Sequence, residues 1–263
     1  MNKSQIDKLF DFQKKEIEKI FSRAISNLQN TLTSLVSGFP EINNGVFPNT
    51  EANLQYMANI YNEMLKLGKA QGYTDAIDYA LQQEGEIVKT IRKELATAGF
   101  PAKFTTVTQE TFNLFQRQKY DYLSNLSTRA ITAVKEATLN AVIGSSDLGS
   151  LINTIQSEVG DKLQRYAYTY LETSRGQLIQ ATQEWTVQEL KEQGIDIYWE
   201  YVGPLDNDTR EECDLALQKR VFTDEEKADY QNGVGEIPHN EPRWNCRHAF
   251  VPISENRYKE LAD

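Results

Sequence analysis

The chain has 263 residues, 40% hydrophobic and 10% aromatic, which is enough to bury a sizeable core. Its seven prolines and 14 glycines are few for this length and favour helices over a many-turned β architecture. The formal net charge is −10, and residues 200–263 hold 15 acidic against 8 basic side chains. An acidic surface repels phosphate, so composition argues against direct DNA wrapping by the C-terminal part.

The chain carries no recognisable targeting or membrane segment. Residues 1–15 lack the uninterrupted apolar stretch that a secretory signal requires. No window approaches 18 consecutive apolar residues, so we expect neither a transmembrane helix nor membrane contact. Two cysteines in a chain of this length do not make a disulfide framework. We therefore expect a protein that is made in the cytosol and stays there unless something packages it.

Long helices are predicted over most of the chain, because apolar residues recur at helical spacing. In chain order the predicted helices cover residues 4–36, 50–69, 74–98, 108–142, 148–159 and 161–192. A stretch rich in Pro, Gly and Asn separates the first two, and Gly194 ends the last. The predicted fold class is therefore mainly α, with residues 1–193 forming a long-helix bundle or an elongated helical array.

Residues 194–263 predict a small α+β module, called the C-terminal module below. Residues 195–202 alternate apolar and polar side chains and are rich in β-branched and aromatic types, which indicates a strand. Residues 246–253 predict a closing strand. Between the strands, two capping-box signatures predict short helices: Asp208 as N-cap with Glu211, and Thr223 with Glu226.

All cysteines and histidines of the chain lie within 36 consecutive residues: Cys213, His239, Cys246 and His248. Two thiolates and two imidazoles form a complete tetrahedral set for a structural zinc ion, and residues 246 and 248 would share one face of the predicted strand. The spacing lacks the compact CxxC knuckle of strong zinc motifs. Two other interpretations therefore stay open: buried or disulfide-bonded cysteines, with histidines that hydrogen-bond locally.

The common enzyme motifs are absent from the sequence, including the P-loop, GxSxG, HExxH and GxGxxG. Residues His239, Asn240, Asn245 and His248 allow one enzymatic alternative, a metal-dependent nuclease of the HNH type centred on the two histidines. That nuclease has a helix where this chain predicts a strand, and the acidic surroundings would repel its substrate. We therefore expect no enzymatic activity.

Three ordered blocks of the C-terminal module resemble a known pattern: WEYVGPLDNDTREEC (199–213), KRVFTDEE (219–226) and PRWNCRH (242–248). The pattern is an aromatic strand, an Asp-x-x-Thr-Arg-x-x-Cys turn and helix, a Phe/Tyr-Thr step, and a terminal Asn-Cys-Arg-His or Cys-Arg-Cys strand. It is similar to the Mu F head-morphogenesis module of bacteriophage minor head proteins. The matching positions are Trp199, Asp206, Thr209, Arg210, Cys213, Asn245, Cys246, Arg247 and His248.

The resemblance implies a structural minor capsid protein of a tailed bacteriophage. Such a protein binds the portal protein, the major capsid protein or both during head assembly, and it is carried in the capsid interior or at the portal vertex after synthesis in the host cytoplasm. Some relatives bind DNA or influence its release, which extends the expectation to DNA packaging or ejection and to indirect contact with packaged DNA. A DNA-binding accessory protein stays an alternative, because residues 1–199 are nearly balanced, with 20 basic and 23 acidic side chains.

Overall fold

The computed structural model of the chain is mainly α-helical with one small antiparallel sheet, as the sequence predicts. It describes residues 3–64, 66–67, 72–97, 106–144, 146–203, 205–207, 209–231 and 248–262. No helix in these ranges is both long enough and apolar enough to span a membrane.

Long helices form the first part of the chain, within a few residues of the predicted bounds. They are α1 Lys3–Ser37, α2 Glu51–Met64, α3 Tyr73–Thr97, α4 Thr106–Ile143, α5 Leu148–Ile155, a π-helical segment Gln156–Leu163, and α6 Gln164–Glu192. A compact unit of residues 2–83 and 112–170, called the helical unit below, contains much of this set. Its core includes one stripe of α1, where Phe21, Ile25, Leu28 and Leu32 are each at most 1% exposed.

The predicted helix break near residue 160 is wrong. Residues 148–192 follow one helical path, and the π-helical segment lies where the break was expected. Gly160 explains the difference. A Cβ added at Gly160 would lie 2.8 Å from Gln156 Nε2 and 3.0 Å from Gln29 Oε1 of α1, so this glycine leaves room for two glutamine side chains within the helical path rather than forming a turn.

A second compact unit contains the described residues of 84–111 and 171–263, including the described parts of the C-terminal module. The module consists of β1 Tyr198–Val202, α7 Glu211–Lys219, β2 Val221–Phe222, α8 Asp224–Gln231, β3 Ala249–Ile253 and α9 Glu255–Ala262. The strand order is β2-β1-β3 with both pairings antiparallel, so β1 is central. The predicted division of the chain into a helical region, residues 1–193, that binds other proteins and a separate module, residues 194–263, stays a prediction.

Candidate functional site

The centre of the C-terminal module is a group of aromatic side chains around β1. Trp199 and Tyr201 are two residues apart and therefore lie on the same face of β1, where they are 0% and 2% exposed. The Tyr201 ring centroid lies 4.8 Å from that of Phe250 on β3 and 5.7 Å from that of Tyr230 on α8. We call Trp199, Tyr201, Phe222, Tyr230 and Phe250 the aromatic cluster. The cluster joins all three strands and α8 into one core.

Two members of the predicted zinc set contact this cluster through one side chain. The Tyr201 hydroxyl lies 3.5 Å from Cys213 Sγ and donates toward it. The His248 ring stacks on the Tyr201 ring with centroids 5.7 Å apart and planes within 5°. Both residues are buried, Cys213 to 2% exposure and His248 to 6%. The fold thus brings a thiol from α7 and an imidazole from the residue just before β3 to the same tyrosine.

His248 is packed closely against the backbone that follows β1. A Cβ added at Gly203 would overlap the His248 ring at Cδ2 and lie 2.6 Å from its Cγ, which no real side chain tolerates. The residue therefore has to be glycine for the imidazole to occupy this position. The strand predicted from residue 246 starts at Ala249, so His248 precedes the strand instead of lying within it.

The other predicted site residues lie partly outside the described ranges. His239 and Cys246, the remaining zinc candidates, and the motif residues Asn245 and Arg247 all fall in residues 232–247, which the structure does not describe. Within the described ranges, no group of three or more His, Cys, Asp or Glu side chains is arranged to hold a metal ion. The structure therefore places Cys213 and His248 but does not test a four-ligand site.

The motif residues between β1 and α7 form a turn. Thr209 N–H donates to the Asp206 carbonyl oxygen over 3.0 Å, and the Asp206 N–H donates to Thr209 Oγ1 over 2.9 Å. Arg210 then caps α7 with extended backbone and no side-chain cap bond. The helix starts at Glu211, directly after the Asp206–Thr209 turn, and Asp208, the cap predicted from the sequence, lies outside the described residues.

The capping box predicted at the start of α8 is confirmed. Thr223 N–H donates to Glu226 Oε2 over 2.8 Å, and Glu226 N–H donates to Thr223 Oγ1 over 3.2 Å. Burial raises the pKa of Glu226, but hydrogen bonds from Lys219 and Thr223 outweigh it and leave that pKa below its ordinary value. The box fixes where α8 begins, directly after β2.

Sequence reasoning missed a buried lysine, Lys227, that lies over the ring of Trp199. The Lys227 ammonium lies 3.5 Å from the Trp199 ring centroid, pairs with Glu184 of α6, and belongs to a residue only 4% exposed. Trp199 Nε1–H donates to Asp224 Oδ1 over 3.0 Å, and Lys191 of α6 pairs with the same carboxylate. We call these five residues the lysine node.

The lysine node joins the end of α6 to the sheet through charges as well as packing. Burial lowers the pKa of Lys227, although Glu184 and Asp224 act in the opposite direction. Burial raises the pKa of Asp224, but hydrogen bonds from Lys191 and Trp199 outweigh it, so that pKa lies below its ordinary value. One sequence signal was present: Asp224, Lys227 and Tyr230 recur every three residues on one face of α8.

The described elements define a class of architecture: long helices followed by a three-stranded antiparallel sheet with short flanking helices. Comparisons of the chain with known protein families, with curated proteins and with solved structures find no match.

Proposed function

We propose that this chain is a minor capsid protein of a tailed bacteriophage, of the Mu F type, which binds portal or inner capsid during head assembly. One observation carries the proposal: the three sequence blocks occur in the order of the Mu F pattern, and their described parts belong to one sheet and its flanking helices. The first block supplies β1, the Asp206–Thr209 turn and Cys213 of α7. The second supplies β2 and the start of α8, and the third ends with His248 before β3.

The burial of the chemically reactive side chains supports a structural role for the module. His248 is 6% exposed and lies flat on Tyr201, so its imidazole packs inside the module rather than facing a substrate. Cys213 is likewise 2% exposed. A general base has to reach the proton that it removes, whereas a metal ligand or a core residue is normally buried. The helices of residues 1–193 are then the part that contacts the virion proteins and assists DNA packaging or ejection.

The assembly role is tested in purified phage particles. An epitope-tagged chain should co-purify with mature heads, and chemical crosslinking followed by mass spectrometry should join its helices to portal or major capsid protein. A tagged, unrelated protein expressed during the same infection is the control for trapping. Absence of the chain from heads, or crosslinks to neither virion protein, would overturn the proposal.

We further propose that Cys213, His239, Cys246 and His248 hold a structural zinc ion. The described pair fits this chemistry, since a thiol and an imidazole from separate elements are both buried beside Tyr201. The ion would supply fixed coordination that ties the chain before β3 to α7, which suits a module with strands of two to five residues.

Metal analysis of the purified protein by mass spectrometry tests the zinc site. About one zinc per chain is expected, as for a closed four-ligand site, and Cys246→Ser should lose it. Thr209→Ser, a conservative change in the neighbouring turn, should keep the metal. A chain without zinc would refute the site, and its intact mass under non-reducing conditions would then show whether Cys213 and Cys246 are joined.

A further inference from the structure

The helical unit exposes an apolar face where α2 and α4 lie side by side. Ten large apolar side chains are more than a third exposed among the described residues, and four of them lie on these two helices within residues 51–64 and 131–144: Leu54, Tyr61, Leu139 and Ile143. Their exposures are 43%, 42%, 37% and 56%. An isolated exposed leucine is ordinary, but a group of four on neighbouring helices indicates an interaction surface.

Two contacts fix the direction in which α2 runs along α4. Phe47 N–H, just before α2, donates to the Ser146 carbonyl oxygen, just after α4, over 3.1 Å. Near the other end of α2, the Lys135 ammonium lies 3.6 Å from the Tyr61 ring centroid. The start of α2 is therefore beside the end of α4, and the two helices are antiparallel.

Helical spacing places the four side chains on one face. Leu54 and Tyr61 are seven residues apart on α2, and residues 135, 139 and 143 form one i, i+4 row of α4. Because Lys135 contacts Tyr61, the rest of its row faces the Leu54 end of α2. The spans agree, since seven residues of helix rise about 10 Å and eight rise about 12 Å. We call Leu54, Tyr61, Leu139 and Ile143 the α2–α4 face.

The exposed charges on these two segments of α2 and α4 have one sign. The exposed charged side chains of residues 51–64 and 131–144 are the acids Glu51, Glu63 and Glu136. The one base of these ranges, Lys135, is 5% exposed and lies under Tyr61. Glu51 is three residues before Leu54, and Glu136 is three before Leu139, so each acid borders the apolar side chains. The face is thus apolar with an acidic border.

We infer that the α2–α4 face docks an apolar helix or strand of another virion protein whose contact surface is bordered by lysine or arginine. Charge selects this occupant over a second copy of the chain: two copies would bring acidic borders together on a protein of net charge −10. This inference rests on the proposed function, because it names the surface through which the helical region binds portal or capsid. The apolar centre supplies the affinity and the acidic border the orientation.

Substitutions with matched controls on the same helix test the inference. Ile143→Glu buries a charge at the docking surface and should lower the number of chains per particle about tenfold, as expected for a central interface residue. Leu114→Glu is its control, because Leu114 is 55% exposed on α4 but lies outside the face. Circular dichroism should show unchanged helix content in both variants. Equal incorporation of the two variants would overturn the inference.

A pair of glutamate variants tests the role of the acidic border. Glu136→Lys should weaken incorporation several-fold and increasingly so at low salt, since it places a base opposite bases. Glu110→Lys, an exposed position elsewhere on α4, should leave incorporation unchanged. If Glu136→Lys strengthens incorporation or leaves it unchanged, the basic-bordered partner is refuted.

A photo-crosslinking amino acid at residue 143 identifies the occupant. The expected product joins the chain to portal or capsid protein, whereas a crosslink to a second copy of the chain would overturn the stated occupant. The outcomes separate this inference from the proposed function. Absence of the wild-type chain from particles refutes the function itself, while a wild-type chain present together with unaffected Ile143→Glu refutes only the α2–α4 face.

Discussion

In the helical unit α1 buries an aliphatic and aromatic stripe, whereas the C-terminal module buries rings that end in polar atoms. Phe21, Leu28 and Leu32 are 0% exposed and have no group to satisfy. Around β1, by contrast, the Trp199 indole N–H donates to Asp224 and the Tyr201 hydroxyl donates to Cys213. Long helices can bury enough aliphatic surface to be stable, but short strands gain more per residue from large aromatic side chains with a bonded polar end.

This difference determines how each region should respond to substitution. A core of aliphatic side chains tolerates changes that keep volume. A core whose polar atoms are bonded to one another loses both packing and hydrogen bonds when one member changes, because the remaining partners are left buried without a bond. Single substitutions in the C-terminal module should therefore cost more than their change in volume alone.

The largest effect is expected for Trp199→Ala, which removes a fully buried indole at the centre of the module. The poorer packing should cost about 3–5 kcal/mol of unfolding free energy, and the variant can form neither the hydrogen bond to Asp224 nor the cation–π interaction with Lys227. Hydrogen exchange of the β1 amides measures the effect locally. Trp199→Phe, which keeps a ring but not the N–H, should cost less. Unchanged exchange in Trp199→Ala would mean that the module is not held by this residue.

The next effect in size is expected for Gly203→Ala, because the added methyl group would overlap the His248 ring. Displacing a buried imidazole should cost about 1–3 kcal/mol, and it should also weaken any zinc bound by His248. Gly85→Ala is the matched control. An added Cβ meets nothing within 4 Å at this position inside α3, so the change should stabilise by about 0.5–1 kcal/mol. Chemical denaturation of both variants shows whether the unfolding free energy falls in Gly203→Ala and rises in Gly85→Ala. Equal changes in the two variants would contradict the packing described at Gly203.

Acid should weaken the lysine node, as the lowered pKa of Asp224 requires. A carboxylate whose pKa is lowered by folding stabilises the protein above its ordinary pKa of 3.8, and that stabilisation is lost as the pH falls through the lower value. The Asp224 side chain is 46% exposed, so solvent screening limits the effect to about 1 kcal/mol or less.

The test compares the wild type with Asp224→Asn between pH 5 and pH 2. The wild type should lose more stability over this range, because the amide that replaces the carboxylate in the variant does not titrate there. Glu225→Gln changes an exposed neighbour on α8 and should leave the acid dependence as in the wild type. A parallel acid dependence in Asp224→Asn would show that the node does not contribute.

Much of the fold could be predicted because its signals are local. Helical periodicity placed the long helices, and the Thr223–Glu226 box placed the start of α8. The two-residue strand β2 was missed, since Val221–Phe222 is too short to show alternation and forms only by pairing with β1. The residue type of Gly160 does not distinguish a turn from a helix position that leaves room for neighbouring side chains, and only the packing partners decide between the two.

The candidate site was predictable only in its residue types. The clustering of cysteine and histidine pointed to the C-terminal module, and the structure brings Cys213 and His248 to Tyr201. Periodicity places Lys227 on the same face of α8 as Asp224 and Tyr230 but could not show that it is buried, because a charged residue on a short helix is normally exposed to solvent. Its burial depends on Trp199 and on Glu184, which is 43 residues away along the chain.

The smallest effects are expected for two tyrosine substitutions, one in each core. They test most directly whether the two cores differ in the hydrogen bonding of their buried hydroxyl groups. The Tyr73 hydroxyl in the helical unit is buried and makes no hydrogen bond to any described residue, and burial raises its pKa. Tyr73→Phe should therefore be neutral or stabilise by up to about 1 kcal/mol. The Tyr230 hydroxyl in the module lies 3.3 Å from the Tyr201 hydroxyl and 3.4 Å from the Glu212 carbonyl oxygen. Tyr230→Phe should lower the unfolding free energy by about 1 kcal/mol, because the Tyr201 hydroxyl and the Glu212 carbonyl oxygen each lose a hydrogen-bond donor. Both variants lack one oxygen atom, so denaturation midpoints that shift in the same direction would contradict the distinction between an apolar core and a hydrogen-bonded aromatic one.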